Sequence, residues 1–202
     1  MQQKNDFYIN CAVSLVMLVP VPPRFAYGVI LVIMFNLLIL LGTLFKRSLE
    51  KLQMQNMLNP LLILFLVSVS MLTGILLAYY DAVLSLTLNF VLFLPVFTSL
   101  VVGKLLANSD MPLGSLLRKN ILYSAFITGI SLVFLCVREI FGYGSITLLH
   151  GSGIVQHQVI PPQYMQTGIF WVTIPGGITL AALLLVLCTI AQKVFLVKRE
   201  QQ

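Results

Sequence analysis

The sequence predicts an all-α fold, a polytopic transmembrane helix bundle of about six segments with a short first helix, forming a single domain over residues 1–202. Three observations lead there. Apolar residues make up 59% of the chain and charged residues 9%, against roughly 25% charged in soluble domains. Five apolar runs approach or exceed the roughly 20 residues that cross a bilayer. The basic residues gather in small groups between those runs, as residues that set membrane topology do.

The segments can be taken in order. Phe7–Pro20 is apolar but stops at Val19-Pro20-Val21-Pro22-Pro23. With no small-x-small cleavage site behind it, it reads as a retained, half-crossing helix packed inside protein, because lipid does not tolerate an unpaired helix end. Ala26–Leu44, Leu58–Tyr79, Ala82–Val102, Ile121–Val137 and Thr167–Ala191 are the longer runs. Asn59-Pro60 supplies a start signal for the second of them, a capping side chain followed by proline. Three segments on each side of Asp81 are compatible with two inverted three-helix halves, an arrangement common among membrane carriers. A faint echo between Arg24-Phe25-Ala26-Tyr27-Gly28 and Arg138-Glu139-Ile140-Phe141-Gly142-Tyr143-Gly144 points the same way.

Six segments place the N-terminus, the second and fourth loops and the C-terminus on one side. That side holds Lys4, Lys46, Arg47, Lys51, Lys104, Arg118, Lys119, Lys193, Lys198 and Arg199, ten basic residues against Arg24 and Arg138 opposite. The positive-inside rule makes both termini cytoplasmic. If the short first segment does not insert, five spans remain and charge does not choose between the two arrangements at that end. The formal charge of +6 implies no nucleic-acid partner, because no basic tail or block exists. Lipid is the implied surrounding.

Candidate functional residues are few. No Asp, Glu, Lys or Arg falls in the middle of a predicted span, which argues against a carboxylate-driven pump, and no catalytic residue is evident. Arg138-Glu139 is the most unusual pair. It reads either as an interfacial pair near headgroups or as a buried anchor for the Gly142-Tyr143-Gly144 turn. Pro95 and Pro175-Gly176-Gly177 are the expected points of helix breakage, as kinks or as unwound site linings. Ser68, Ser70 and Thr73 read as helix–helix hydrogen bonding. Cys136 and Cys188 behave as small hydrophobes in apolar helix. Cys11 differs by sitting on the broken segment, yet has no second metal ligand nearby in sequence. His150 and His157 fall in a polar loop and read as solvated.

Three stretches in this order resemble the six-helix membrane subunits of the Rnf and Nqr complexes. These are Phe93-Leu94-Pro95-Val96-Phe97-Thr98 with Gly103-Lys104, then Val137-Arg138-Glu139-Ile140-Phe141-Gly142-Tyr143-Gly144, then Ile174-Pro175-Gly176-Gly177. The second, close to the family's "REILG-G" motif, is the most specific. With both termini cytoplasmic, the chain is similar to the RnfE/NqrD type. The resemblance implies an inverted homologous partner subunit, other membrane subunits of an electron-transport complex in the bacterial inner membrane, and coupling of electron transfer to Na+ or H+ movement. It also implies a two-iron, two-sulfur cluster held by cysteines on short helices. Cys11 falls near one of those places, while Leu100-Val101 stands at the other, and valine cannot ligate iron. The expectation is therefore a non-catalytic subunit that kept the scaffold and lost its own iron–sulfur ligand. The rival readings are a small polytopic carrier or substrate-binding component without redox chemistry, and a purely structural assembly subunit.

Overall fold

The chain's architecture is taken from a computed structural model, which describes residues 11–98, 101–106, 112–150, 153–161 and 168–200. Lys4 and the start of the first predicted segment, residues 7–10, lie outside the described residues, as does Leu100. The chain is mostly helical. A short α1 (residues 11–18) is followed by α2 (Phe25–Lys51), α3 (Leu58–Tyr80), α4 (Ala82–Leu88), α5 (Leu94–Phe97), α6 (Val102–Leu106), α7 (Leu113–Tyr143), α8 (Ile169–Val172) and α9 (Ile174–Glu200). Two 3-10 turns, Gln55–Met57 and Val91–Phe93, precede α3 and α5. Between α7 and α8 lies a two-stranded antiparallel sheet of β1 (Ser145–His150) and β2 (Gly153–Gln158).

Among the described residues, three helices, α2, α3 and α7, are long and apolar enough to cross a membrane, and α9 contributes a shorter apolar stretch, Ile174–Ile190. At 1.5 Å per residue α2 extends about 40 Å, more than a hydrocarbon core of about 30 Å. Large apolar side chains stand exposed along α3, among them Leu64, Met71, Leu72, Ile75 and Leu76. Such a surface suits lipid and not water.

Five expectations need correction. The fold is not purely α, because the stretch expected to be a polar loop is a β-hairpin. Ser145-Ile146-Thr147 and Ile154-Val155 are rich in β-branched residues, which favour strand. Nor do the described helices form a clear six-helix bundle. The expected span Ala82–Val102 is divided into α4, α5 and α6. Pro95 lies in the first turn of α5, and the chain leaves helix at Thr98, whose backbone is extended (φ −88°, ψ 149°). The expected last segment divides as well. Thr173 is extended (φ −69°, ψ 162°), so α8 ends there and Pro175 falls in the first turn of α9, where proline's missing N–H is harmless. Finally, α7 runs past both ends of Ile121–Val137, which puts Arg138 and Glu139 inside the helix and not after it.

The core is centred on the antiparallel packing of α2 against α7. Gly28 of α2 admits Leu135, whose Cδ1 lies 2.1 Å from where a Cβ would stand. Further along, Asn36 Nδ2 donates to Thr128 Oγ1 at 2.8 Å, and Asn120 Nδ2 donates to Thr43 Oγ1 at 2.9 Å. Asparagine and threonine change helices between the two bonds. Interhelical bonds of this kind contribute about 0.6 kcal/mol on average in a membrane. Thr43, Asn120, Ser124 and Ser131 are all buried in this seam.

Ser68, Ser70 and Thr73 of α3 do not mainly form the helix–helix bonds that the sequence suggests. Their hydroxyls instead donate to their own helix, to Leu64, Leu66 and Val69 carbonyl oxygens at 2.7–3.1 Å. Only Thr73 also reaches across, to Met34 Sδ at 3.1 Å. A serine or threonine hydroxyl on a helix finds the carbonyl four residues back without a partner helix. Asparagine has a longer arm and two donors, which is why Asn36 and Asn120 make the crossing.

Candidate functional site

Every broken helix end raises the same problem. The last carbonyl groups of a helix have no intrahelical partner, and inside a membrane protein no bulk water supplies one. Both α1 and α8 end this way. A single side chain answers both. Arg138, on the last turns of α7 and 1% exposed, donates from Nη1 to the carbonyl oxygens of Leu18, Val19 and Val21 at 3.3, 2.9 and 3.0 Å. Its Nε donates to Trp171 O at 3.2 Å, and Nη2 to Val172 O and Thr173 O at 3.0 and 3.4 Å. The guanidinium is thus a shared cap on the C-terminal ends of two short helices. A rigid fork with five N–H donors suits this geometry, and a lysine ammonium does not match it. Its positive charge also faces the ends where helix carbonyls point.

The surroundings leave room for the fork. A Cβ on Gly177 would stand 3.1 Å from Arg138 Cζ, and one on Gly142 would stand 2.8 Å from Val172 Cγ2. Gly176 is tighter still, with a Cβ position 2.0 Å from Phe170 O. Phe141, one turn beyond Arg138, packs on Trp171 with ring centroids 6.0 Å apart. Gly144 ends α7 in the left-handed conformation (φ 64°), its N–H donating to Ile140 O at 2.9 Å. Its own carbonyl then accepts from Val159 N and Ile160 N, both at 2.8 Å, closing the base of the hairpin.

Glu139 points elsewhere. Its Oε2 accepts from Phe25 N at 2.6 Å and from Thr147 Oγ1 at 3.1 Å. Thr147 Oγ1 in turn accepts from Ala26 N at 3.3 Å. The side chain of Arg24, the residue before α2, makes no capping bond. Glu139 and Thr147 therefore serve the first N–H groups of α2 from another helix and a strand. Arg24 lies over the Tyr143 ring, 5.4 Å from its centroid.

Arg138 and Glu139 are both buried, Glu139 at 0% exposed. They are not a mutual pair. Among the described residues the ion pairs are Lys46–Glu50 and Arg47–Glu50, and Arg138 and Glu139 each bind other partners. Together they tie the break after α1, the break after α8 and the start of α2 to one end of α7, and the Gly142 and Gly144 positions belong to the same junction. Pro175 and Gly176 also reach it, through α8. Pro95 does not; with buried Val96 and Val101 it lies in the other broken region, near Gly42 of α2, whose Cβ position is 2.4 Å from Leu105 Cδ1.

Cys11 is fully buried on α1, its carbonyl accepting from Ser14 Oγ at 2.8 Å. Among the described residues no three of His, Cys, Asp or Glu come together as a metal site would require. His150 and His157 belong to the hairpin. In its register His150 pairs with Gly153 and His157 with Ile146, so the two imidazoles are not cross-strand neighbours. The polar seam of Asn36, Thr43, Asn120 and Thr128 escaped the sequence reading. The signal available was Asn36 inside the apolar run Ala26–Leu44 and Asn120 at the edge of Ile121–Val137, where polar groups need internal partners.

These features define a class: a helical membrane protein whose interrupted helices are held by a buried arginine and a buried glutamate on one long helix. Comparison with known proteins adds no name to the class, since no family model and no curated protein matches the chain.

Proposed function

We propose that the chain is an integral membrane subunit of an Rnf/Nqr-like ion-translocating electron-transport complex, paired there with an inverted homologous subunit. The observation that carries this reading is the junction at Arg138 and Glu139. The motif most specific to the resemblance is the one whose side chains hold α1, α2 and α8 together. Two further features support it. Interrupted helices occur in both halves of the chain, α1 in the first and α4 to α6 in the second. The crosswise Asn36–Thr128 and Asn120–Thr43 bonds fit two halves of opposite orientation around α2 and α7. The subunit is non-catalytic and belongs to the bacterial inner membrane.

The family's two-iron, two-sulfur cluster takes four thiolate ligands. This chain offers Cys11 on α1, while Val101 in the second broken region is buried and apolar. The residues do not fit a half-share of such a cluster, and no electron-transfer step is assigned to this chain. That misfit favours a second reading, a small polytopic carrier or substrate-binding component without redox chemistry.

Purification of the tagged chain from native membranes in mild detergent separates the two. The expected result is co-purification of flavin- or iron-containing membrane subunits. A soluble ATPase in their place would favour the carrier, and neither would leave an assembly role. Orientation is tested independently with reporter fusions at Gln202 and in the His150–His157 hairpin. The expected result is a cytoplasmic C-terminus and an external hairpin; an external C-terminus would sink the six-segment topology with both termini cytoplasmic.

A further inference from the structure

One oxygen of the junction has no partner. Glu139 Oε2 is served by Phe25 N and Thr147 Oγ1, yet Oε1 is buried and accepts no hydrogen bond. Glu139 is the only buried carboxylate among the described residues. Folded proteins rarely leave such an atom unpaired, and those that exist usually mark an internal water or ion. Protonation does not resolve it, because a proton on Oε1 would be a buried donor without an acceptor.

We propose that Glu139 Oε1 anchors an internal water molecule at the meeting of α7, the start of α2 and the base of the hairpin. Charge selects water over a metal cation. Oε2 already faces the positive end of the 27-residue α2, which offsets the carboxylate charge. A bound cation would add a full positive charge there, in a dry interior that screens little. Water adds no net charge and brings two donors. This inference is independent of the proposed electron-transport role, and its failure would leave that role untouched.

The test is structure determination of the wild-type chain in lipid nanodiscs, at a resolution that resolves ordered water, in Na+ and in Tl+ buffers. The expected result is one density peak about 2.6–3.0 Å from Oε1, of equal strength in both. No peak, or a peak that strengthens in Tl+, would overturn the proposal, the second by identifying a cation.

Discussion

Replacing Arg138 with leucine is expected to abolish most of the folded protein. Six backbone carbonyls, from Leu18 to Val21 and from Trp171 to Thr173, share this one guanidinium. A buried acceptor left unpaired costs about 1–3 kcal/mol. Relaxation of α1 and α8 would recover part of that, so the expected loss is on the order of 3–5 kcal/mol, comparable to breaking a buried charge pair. Arg138→Lys should fall between leucine and wild type, because an ammonium offers three donors from one point and cannot span both helix ends. Arg118→Leu, at an exposed position on the same helix, should stay within about 0.5 kcal/mol of wild type. Thermal unfolding in detergent, followed by the fraction of monodisperse protein, gives the order. An Arg138→Leu variant as stable as Arg118→Leu would show that the shared cap does not hold the breaks.

The second large effect belongs to Gly176, and it carries a sign that composition would not suggest. Glycine within a helix is normally worth about 1 kcal/mol less than alanine, so Gly→Ala should stabilise. At Gly129 of α7, where nothing lies within 4 Å of a new Cβ, that is the expectation: a small gain. At Gly176 the Cβ would stand 2.0 Å from Phe170 O and 2.7 Å from Trp171 Cα. These are backbone atoms, which cannot rotate aside as a side chain can. To admit the methyl, α8 must move off α9, and its carbonyls then leave Arg138. Gly176→Ala should destabilise by about 1–3 kcal/mol, the usual range for overpacking. Melting temperatures of the two variants, measured side by side, are expected to move in opposite directions. A shift of the same sign for both would count against the close α8–α9 contact.

Much of the candidate junction could be read before any coordinates. Arg138 and Glu139 stood out because charge is scarce in this chain, and Gly142, Gly144 and Gly176 because they closely follow that pair or a proline. Their partners did not stand out. Arg138 bonds only to backbone carbonyls, which every residue possesses, so no pattern of side chains announces them. The pairing of Arg138 with Glu139 was inferred from adjacency in the chain. Adjacent residues on a helix are separated by about 100°, and each points to a different neighbour. Asn36 and Asn120 were visible as letters but not as partners of Thr128 and Thr43, because the register of α2 against α7 joins positions 92 and 77 residues apart.

The chain's apolar length and its distribution of basic residues were sufficient to specify helices made for lipid, since hydropathy depends on composition within a window and not on what lies across from it. They also located the breaks near Pro95 and Pro175 within a few residues. Where those helices stop, and what holds them where they stop, was decided in three dimensions. Thr98 and Thr173 leave helical geometry where donors reach the freed carbonyls, Arg138 for Val172 and Thr173 and the Thr98 hydroxyl for Pro95. A helix in a dry interior can end only where a partner for its last carbonyls is waiting, and that partner comes from a distant part of the chain as readily as from the next residue.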